Sequence, residues 1–274
     1  MDEPQSLAGP VSDILRTLSE PPSDEPSLEQ DQRDWELRHG WRYQHPCEGR
    51  DPTAEELESY RQDVAEQARQ HRQRQCAAKL ERFIASVGER YDGVSLASFQ
   101  IEHPGQQAVV DAVNDYRKNG RENIQAGRGI VLYGPSGTGK DHLLIALGIG
   151  AINAGFDVVA TSGPKLASEL RDLIDTREPE EDFFRRYTKP HILLLSDPLP
   201  PGGTLTNFQA EGLYQIVDER YRRRKTTWVS LNVASGSEAD QRLGSPIVDR
   251  LRDGALCLKC EWPSFRKAWD PEAK

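Results

Sequence analysis

The stretch that most limits what this chain can become is GIVLYGPSGTGKDHLL, residues 129–144. An apolar run, GIVLYG (129–134), enters a glycine-rich loop, and a helical run, HLLIALGIGAINAG (142–155), leaves it and closes on Gly155. GxxxxGK between a buried strand and a helix is a loop built for phosphate. Its glycines let successive backbone N–H groups turn inward, Lys140 reaches the outer phosphates, and the helix N-terminus adds its positive end. The candidate cofactor-binding residues are therefore Gly134, Pro135, Ser136, Gly137, Thr138, Gly139, Lys140, Asp141 and His142.

The rest of the chain agrees with an α/β class. FDVVATS (156–162), HILLLSD (191–197) and TTWVSLN (226–232) have the apolar, β-branched character of buried strands. Helical runs separate them, through LASELRDLI (166–174) and FQAEGLYQIVDERYRRR (208–224). Strands alternating with helices imply a parallel, doubly wound sheet flanked by helices.

A phosphate loop of this kind also needs a second strand that ends in an acid close to Mg²⁺. ILLLSD (192–197) supplies it, with an irregularity: Ser196 then Asp197, where two acids are usual. The loop is irregular too, because Asp141 follows Lys140 where Ser or Thr is usual. A hydroxyl has become a carboxylate in one place, and a carboxylate a hydroxyl in the other. The expectation is a reciprocal exchange in which Asp141 and Ser196 face each other across the metal site, with Asp197 left to orient the attacking water. Asp141, Ser196 and Asp197 are then the metal candidates, and ATP with Mg²⁺ the expected ligands. The alternative is a degenerate site that binds ATP weakly or without turnover.

Charge divides the chain. Residues 1–60 hold 15 Asp or Glu against 5 Lys or Arg, a net of −10, whereas the whole chain nets −9. The acidity thus belongs to the N-terminal region and does not exclude nucleic acid as a partner of the remainder. Residues 1–52 are expected to be a mostly disordered acidic tail, too poor in apolar surface to offset ordering entropy, with Val11 to Leu18 a short amphipathic piece. Thr53-Ala-Glu-Glu56 is a capping box that opens a helical arm over residues 53–86. The thin apolar stripe Leu57, Tyr60, Val64, Ala68 suggests an exposed or partner-binding helix. The start MDEPQSLAGP is not a secretory leader, and no apolar run spans a bilayer, so a cytoplasmic setting is expected.

Over residues 89–267 the chain resembles the AAA+ helicase loaders of the DnaC type and the related IstB-type transposition helpers. The resemblance runs through ERYDGVSLASFQIEHPGQQAVVDAVNDY, LYGPSGTGKDHLLIALG, ILLLSD, QIVDERYRRRKTTWVSLNV and RLGSPIVDRLRDGALCLKCEWPSFR. It implies a P-loop AAA+ ATPase module without a C-terminal helical lid. By the same resemblance Asn232 matches the sensor asparagine that positions water. Arg250, in VDRL, matches the arginine finger offered to a neighbouring subunit, and Arg266, in PSFR, matches a second sensor on the phosphates. A finger in trans implies an ATP-dependent homo-oligomer. The implied function is loading or remodelling of a replicative hexameric helicase on single-stranded DNA, with the N-terminal region gripping the helicase. The rivals are an ATPase helper of a transposase and a nucleotide-sensing adaptor that does not turn over.

Cys257 and Cys260 sit in LCLKC, where strand alternation points them to opposite faces, so buried structural thiols are expected rather than a metal pair. His45, Cys47, His71 and Cys76 have zinc-ligand chemistry but match no strong spacing. For DNA, Lys165, Arg171, Arg185, Arg186 and Lys189 offer cations beside Phe183, Phe184 and Tyr187, although a packed helix pair reads equally well. Arg220 to Lys225 is a second basic candidate.

Overall fold

The computed structural model describes residues 53–175 and 179–266. The acidic tail, with its segment Val11 to Leu18, lies outside the described residues, as do His45 and Cys47. The chain divides into two compact units, Met1–Arg74 and Gln75–Lys274.

Helix α1 spans Ala54–Val87 and begins one residue after Thr53, as the capping box requires. In the first unit its described side chains are exposed and pair along the helix, Gln62 with Glu58 and Gln70 with Glu66. The expectation of an exposed arm over the whole of 53–86 does not hold beyond this unit. In the second unit Phe83 is 3% exposed, and Cys76, Leu80, Ile84 and Val87 pack on the core. Those residues recur at three- and four-residue spacing, a buried stripe that dense Gln and Arg hide in the sequence.

The second unit is a five-stranded parallel sheet of order β2-β3-β4-β1-β5. The strands are β1 Ile130–Tyr133, β2 Val158–Ser162, β3 Ile192–Ser196, β4 Thr226–Leu231 and β5 Leu256–Lys259. In chain order the helices after α1 are α2 Pro104–Lys118, α3 Gly120–Gln125, α4 Lys140–Asn153, α5 Gly163–Asp175, α6 Glu180–Thr188, α7 Asn207–Arg222, α8 Gly236–Leu243 and α9 Ser245–Arg252.

Every residue of β4 is buried, and Ile192 to Leu195 of β3 are too, because helices cover both faces of a parallel sheet. Successive side chains serve opposite faces. Ile130, Leu132, Ile192, Leu194 and Trp228 join one core with Phe83 and the apolar face of α4, and Val131, Leu193, Leu195, Val229 and Leu231 join the other with α7 and α9.

Two expectations about charge and rings fail here. Arg220 is fully buried and donates to the carbonyls of Tyr187, Pro190, His191 and Thr226 and to Thr227 Oγ1. It is a structural pin, not part of a DNA-binding cluster. Phe183 and Tyr187 are 0% and 4% exposed, so they pack the core and leave no face for a base.

Candidate functional site

The loop after β1 closes on itself. Lys140, only 5% exposed, donates from Nζ to Gly134 O at 2.9 Å and Pro135 O at 2.7 Å. Thr138 donates to Pro135 O at 3.0 Å. Burial lowers the Lys140 pKa, although the carboxylates of Asp141 and Asp197 pull the other way. These internal carbonyl contacts hold an ammonium group that is ready to exchange them for stronger phosphate oxygens.

The short segment that ends the resemblance, WPSFR (262–266), braces the loop from behind. Trp262 Nε1 donates to Thr138 O at 3.0 Å, and Phe265 N donates to Gly137 O at 2.9 Å. Gly137 has φ +84, and a Cβ there would come within 1.9 Å of Ser264 Oγ, so a left-handed backbone and a close neighbour both demand glycine. Arg266 follows on the same segment and donates to Ser136 Oγ at 3.3 Å, over the loop.

Opposite the loop, β3 and β4 end side by side, with Ser196 registered on Ser230. Asn232 Nδ2 donates to Asp197 Oδ2 at 2.6 Å, which brings together the two residues expected to handle water. Asp197 has φ 43, a left-handed conformation that Asp tolerates better than most residues. Its backbone N–H donates to Ser230 O at 3.0 Å. Burial raises the Asp197 pKa, the hydrogen bond from Asn232 lowers it, and the Asp141 charge raises it again. Asp197 Oδ1 is buried with no hydrogen-bond partner. Such an oxygen, on a residue that lines a cleft with Asp141 and Lys140, fits a cation or a polarised water.

The hydroxyl that meets Asp141 is Ser230, not Ser196. Ser230 Oγ donates to Asp141 Oδ1 at 2.6 Å, while Ser196 lines the same cleft without a side-chain hydrogen bond to Asp141. Asp141 and Ser196 line the same cleft, and the hydrogen bond on Asp141 comes from Ser230. β4 lies next to β1 and under α4, whereas β3 is one strand further out. The signal was present in TTWVSLN: Ser230 precedes Asn232 by two residues, the spacing that puts two strand residues on one face.

Together these residues line a cleft of about 530 Å³. Its other wall is the lead-in segment, with Tyr91, Val94 and Phe99. His142 belongs to that wall, with Nε2 3.0 Å from Ser95 O and 3.3 Å from Ser98 Oγ and its ring edge-on to Phe99.

Arg250 lies outside the cleft. Its guanidinium donates to Asp218 Oδ1 at 2.8 Å, Pro246 O at 3.0 Å and Tyr214 OH at 3.0 Å, and stacks 4.9 Å from the Tyr214 ring. Cys260 is buried, but the expectation of a buried thiol fails for Cys257, which is exposed because strand alternation puts the two on opposite faces. Burial pushes the Cys260 thiol up to about 12. Among the described residues no group of three His, Cys, Asp or Glu is gathered for a metal. No described helix is long and apolar enough to cross a membrane.

This geometry has relatives. The family profile of the IstB-like ATP binding proteins matches residues 106–273. The replicative helicase loader DnaC of Buchnera aphidicola subsp. Schizaphis graminum is 28% identical over 202 residues, covering 70% of this chain and 77% of its own. An insertion-sequence ATP-binding protein of Sinorhizobium fredii is 30% identical over 158 residues, covering 55% of this chain and 51% of its own. Among solved structures, the crystal structure of the DnaC helicase loader superposes with a TM-score of 0.56 at 22% identity, covering 63% of this chain and 99% of that one. The fold is that of a P-loop AAA+ ATPase module.

Proposed function

The chain belongs to the IstB-like ATP-binding proteins, and from that premise we propose that it is a cytoplasmic ATPase that loads or remodels a replicative hexameric helicase on single-stranded DNA. The observation that carries this reading is the helicase-loader likeness, which extends over more of both chains than the insertion-sequence likeness does.

In this reading the triphosphate lies over Gly134 to Lys140, with Ser136, Thr138 and Arg266 beside it. Bound Mg²⁺ supplies charge neutralisation at the outer phosphates. Asp141 and Asp197 are the carboxylates that would hold it, with the Ser196 hydroxyl in the same cleft. Asp197 accepts the hydrogen bond of Asn232 through Oδ2 and keeps Oδ1 for the attacking water. Arg250 serves the nucleotide of a neighbouring copy, which makes the active form an ATP-dependent homo-oligomer. Residues 1–86 grip the helicase.

The test uses the full chain, the replicative helicase of the same host and circular single-stranded DNA. ATP-dependent transfer of the helicase onto the circle, with phosphate release, is the expected result. Helicase that neither binds the chain nor reaches the DNA overturns the reading.

A second reading, an ATPase helper of a transposase, has the insertion-sequence relatives in its favour. ATP-dependent binding to duplex DNA together with a transposase, and no response from the helicase, selects it. Nucleotide-dependent assembly with no phosphate release selects a sensing adaptor instead.

A further inference from the structure

After Asp197 the chain runs through PLPPGGTLT (198–206) to α7 with no helix or strand of its own. Such a loop needs an external hold, because fixing irregular backbone costs conformational entropy. One side chain from another element supplies it. Arg242, on α8, donates from Nε to Gly203 O and from Nη2 to Pro200 O, each at 2.9 Å. Its backbone carbonyl accepts from Leu205 N at 3.4 Å. The same guanidinium donates from Nη1 to Asn232 O at 3.3 Å. It therefore ties the loop that leaves Asp197 to the residue whose side chain meets Asp197.

The clamp is itself held in place. One helical turn earlier, Glu238 Oε1 accepts from Arg242 Nη1 at 2.9 Å, and Glu238 Oε2 accepts from Ala234 N at 2.7 Å. Glu238 N donates in turn to Ser235 Oγ at 3.2 Å, which caps α8. Ala239 and Leu243 of that helix are buried in the core. The Arg242 side chain is 16% exposed, so water competes little for its contacts. An Arg suits this task because its planar fork presents several donors in fixed directions. Asp197 is restrained on its other sides. Its N–H is bonded to Ser230 O, and a Cβ on Gly163 would come within 2.3 Å of Asp197 O. The directions left open are the loop and the exit of β4, and Arg242 closes both. Arg242 does not line the cleft beside the phosphate loop, so it works through other residues.

We propose that Arg242 is a positioning residue for ATP hydrolysis. By clamping Asn232 O, Pro200 O and Gly203 O with one guanidinium, it keeps the Asn232 amide on Asp197 Oδ2 and leaves Asp197 Oδ1 for the attacking water. The assignment rests on the turnover reading and deepens it, by naming what holds the water-handling pair in register. It acts on the chemical step and not on nucleotide binding, because the phosphate loop is braced separately by Trp262 and Phe265.

The experiment measures steady-state phosphate release by the full chain with Mg²⁺ and ATP, at a temperature where circular dichroism shows each variant folded. Arg242→Lys keeps a charge beside Glu238 but cannot span the two segments. Its kcat is expected to fall roughly tenfold to a hundredfold, the scale of a small misplacement of reacting groups. KM and the affinity for a non-hydrolysable ATP analogue stay as in the native chain. Arg242→Lys combined with Asn232→Ala should be no slower than Asn232→Ala alone, since residues that act as one unit do not multiply their losses. Glu238→Gln frees the guanidinium from its charge partner, so it lowers kcat in the same direction by a smaller factor. That variant decides the matter if Arg242→Lys does not fold. Native kcat in the folded variants overturns the assignment and leaves the turnover reading standing. Losses that multiply in the double variant, or a raised KM at native kcat, overturn it in favour of a purely structural clamp. A native chain that releases no phosphate overturns the turnover reading and the assignment together.

Discussion

The Ser230 hydroxyl donates to Asp141 Oδ1 at 2.6 Å, and so ties the middle of the sheet to the first turn of α4. An Asp at that turn keeps its carboxylate at a helix N-terminus, where the macrodipole favours negative charge.

Ser230→Ala removes this donor and leaves a half-buried carboxylate beside Asp197. The expected loss is about 1–3 kcal/mol, read as a lower melting temperature of about 2–4 °C for each kcal/mol in a chain of this size. If Asp141 helps to hold the metal, the Mg²⁺ concentration for half-maximal phosphate release rises as well. Unchanged melting and Mg²⁺ response would show that the contact matters for neither.

Asp197 yields a pH prediction opposite to that of an ordinary carboxylate. Burial holds its folded pKa above the usual 3.8, so the folded chain binds that proton more tightly than the unfolded one. Its contribution to stability is therefore fully present below the unfolded value and is lost as pH rises through the raised folded value. Asp197→Asn, which keeps a residue tolerant of φ 43, is expected to melt higher than the native chain at neutral pH. That gain should fade toward about pH 4, near the unfolded carboxylate value. Phosphate release by this variant should fall by at least ~10²-fold, the usual worth of a general base. Melting curves across pH and a phosphate assay check both halves.

Trp262→Phe fills the same space but withdraws the donor to Thr138 O. A buried carbonyl left unpaired costs about 1–3 kcal/mol. Here the cost falls on the shape of the phosphate loop, so ATP-analogue affinity should drop roughly tenfold with the overall fold retained. Gly137→Ala, aimed at the neighbouring contact of the loop with Ser264, should lose at least as much. Calorimetric titration beside far-ultraviolet circular dichroism separates loop damage from unfolding.

Asp218→Asn tests whether Arg250 is held in reserve. The ion pair at 2.8 Å must open before Arg250 can reach another molecule. Weakening it should raise nucleotide-dependent self-association about fivefold to tenfold, the low end of the usual coupling. Arg250→Ala should abolish that association while leaving ATP-analogue binding by the single chain intact. Sedimentation velocity with and without the analogue reads both variants. If Asp218→Asn leaves association unchanged, the pair is structural only.

What the sequence determined by itself was local. Strand, loop and lysine at fixed spacing require a phosphate cradle, because backbone N–H direction follows from glycine placement within a few residues. The alternating apolar runs likewise require a parallel sheet, since only burial on both faces accommodates them. Tertiary structure decided everything that depends on which strand lies next to which. The order β2-β3-β4-β1-β5 puts β4 beside β1, so Ser230 rather than Ser196 receives Asp141. The same packing buries Arg220, Phe183 and Tyr187, which look like a nucleic-acid surface in one dimension. It also brings Trp262 against Thr138, a contact between residues 124 positions apart. Spacing along a chain specifies directions within one element, whereas charge pairing, burial and hydrogen-bond partners are set by neighbours that only the folded sheet supplies.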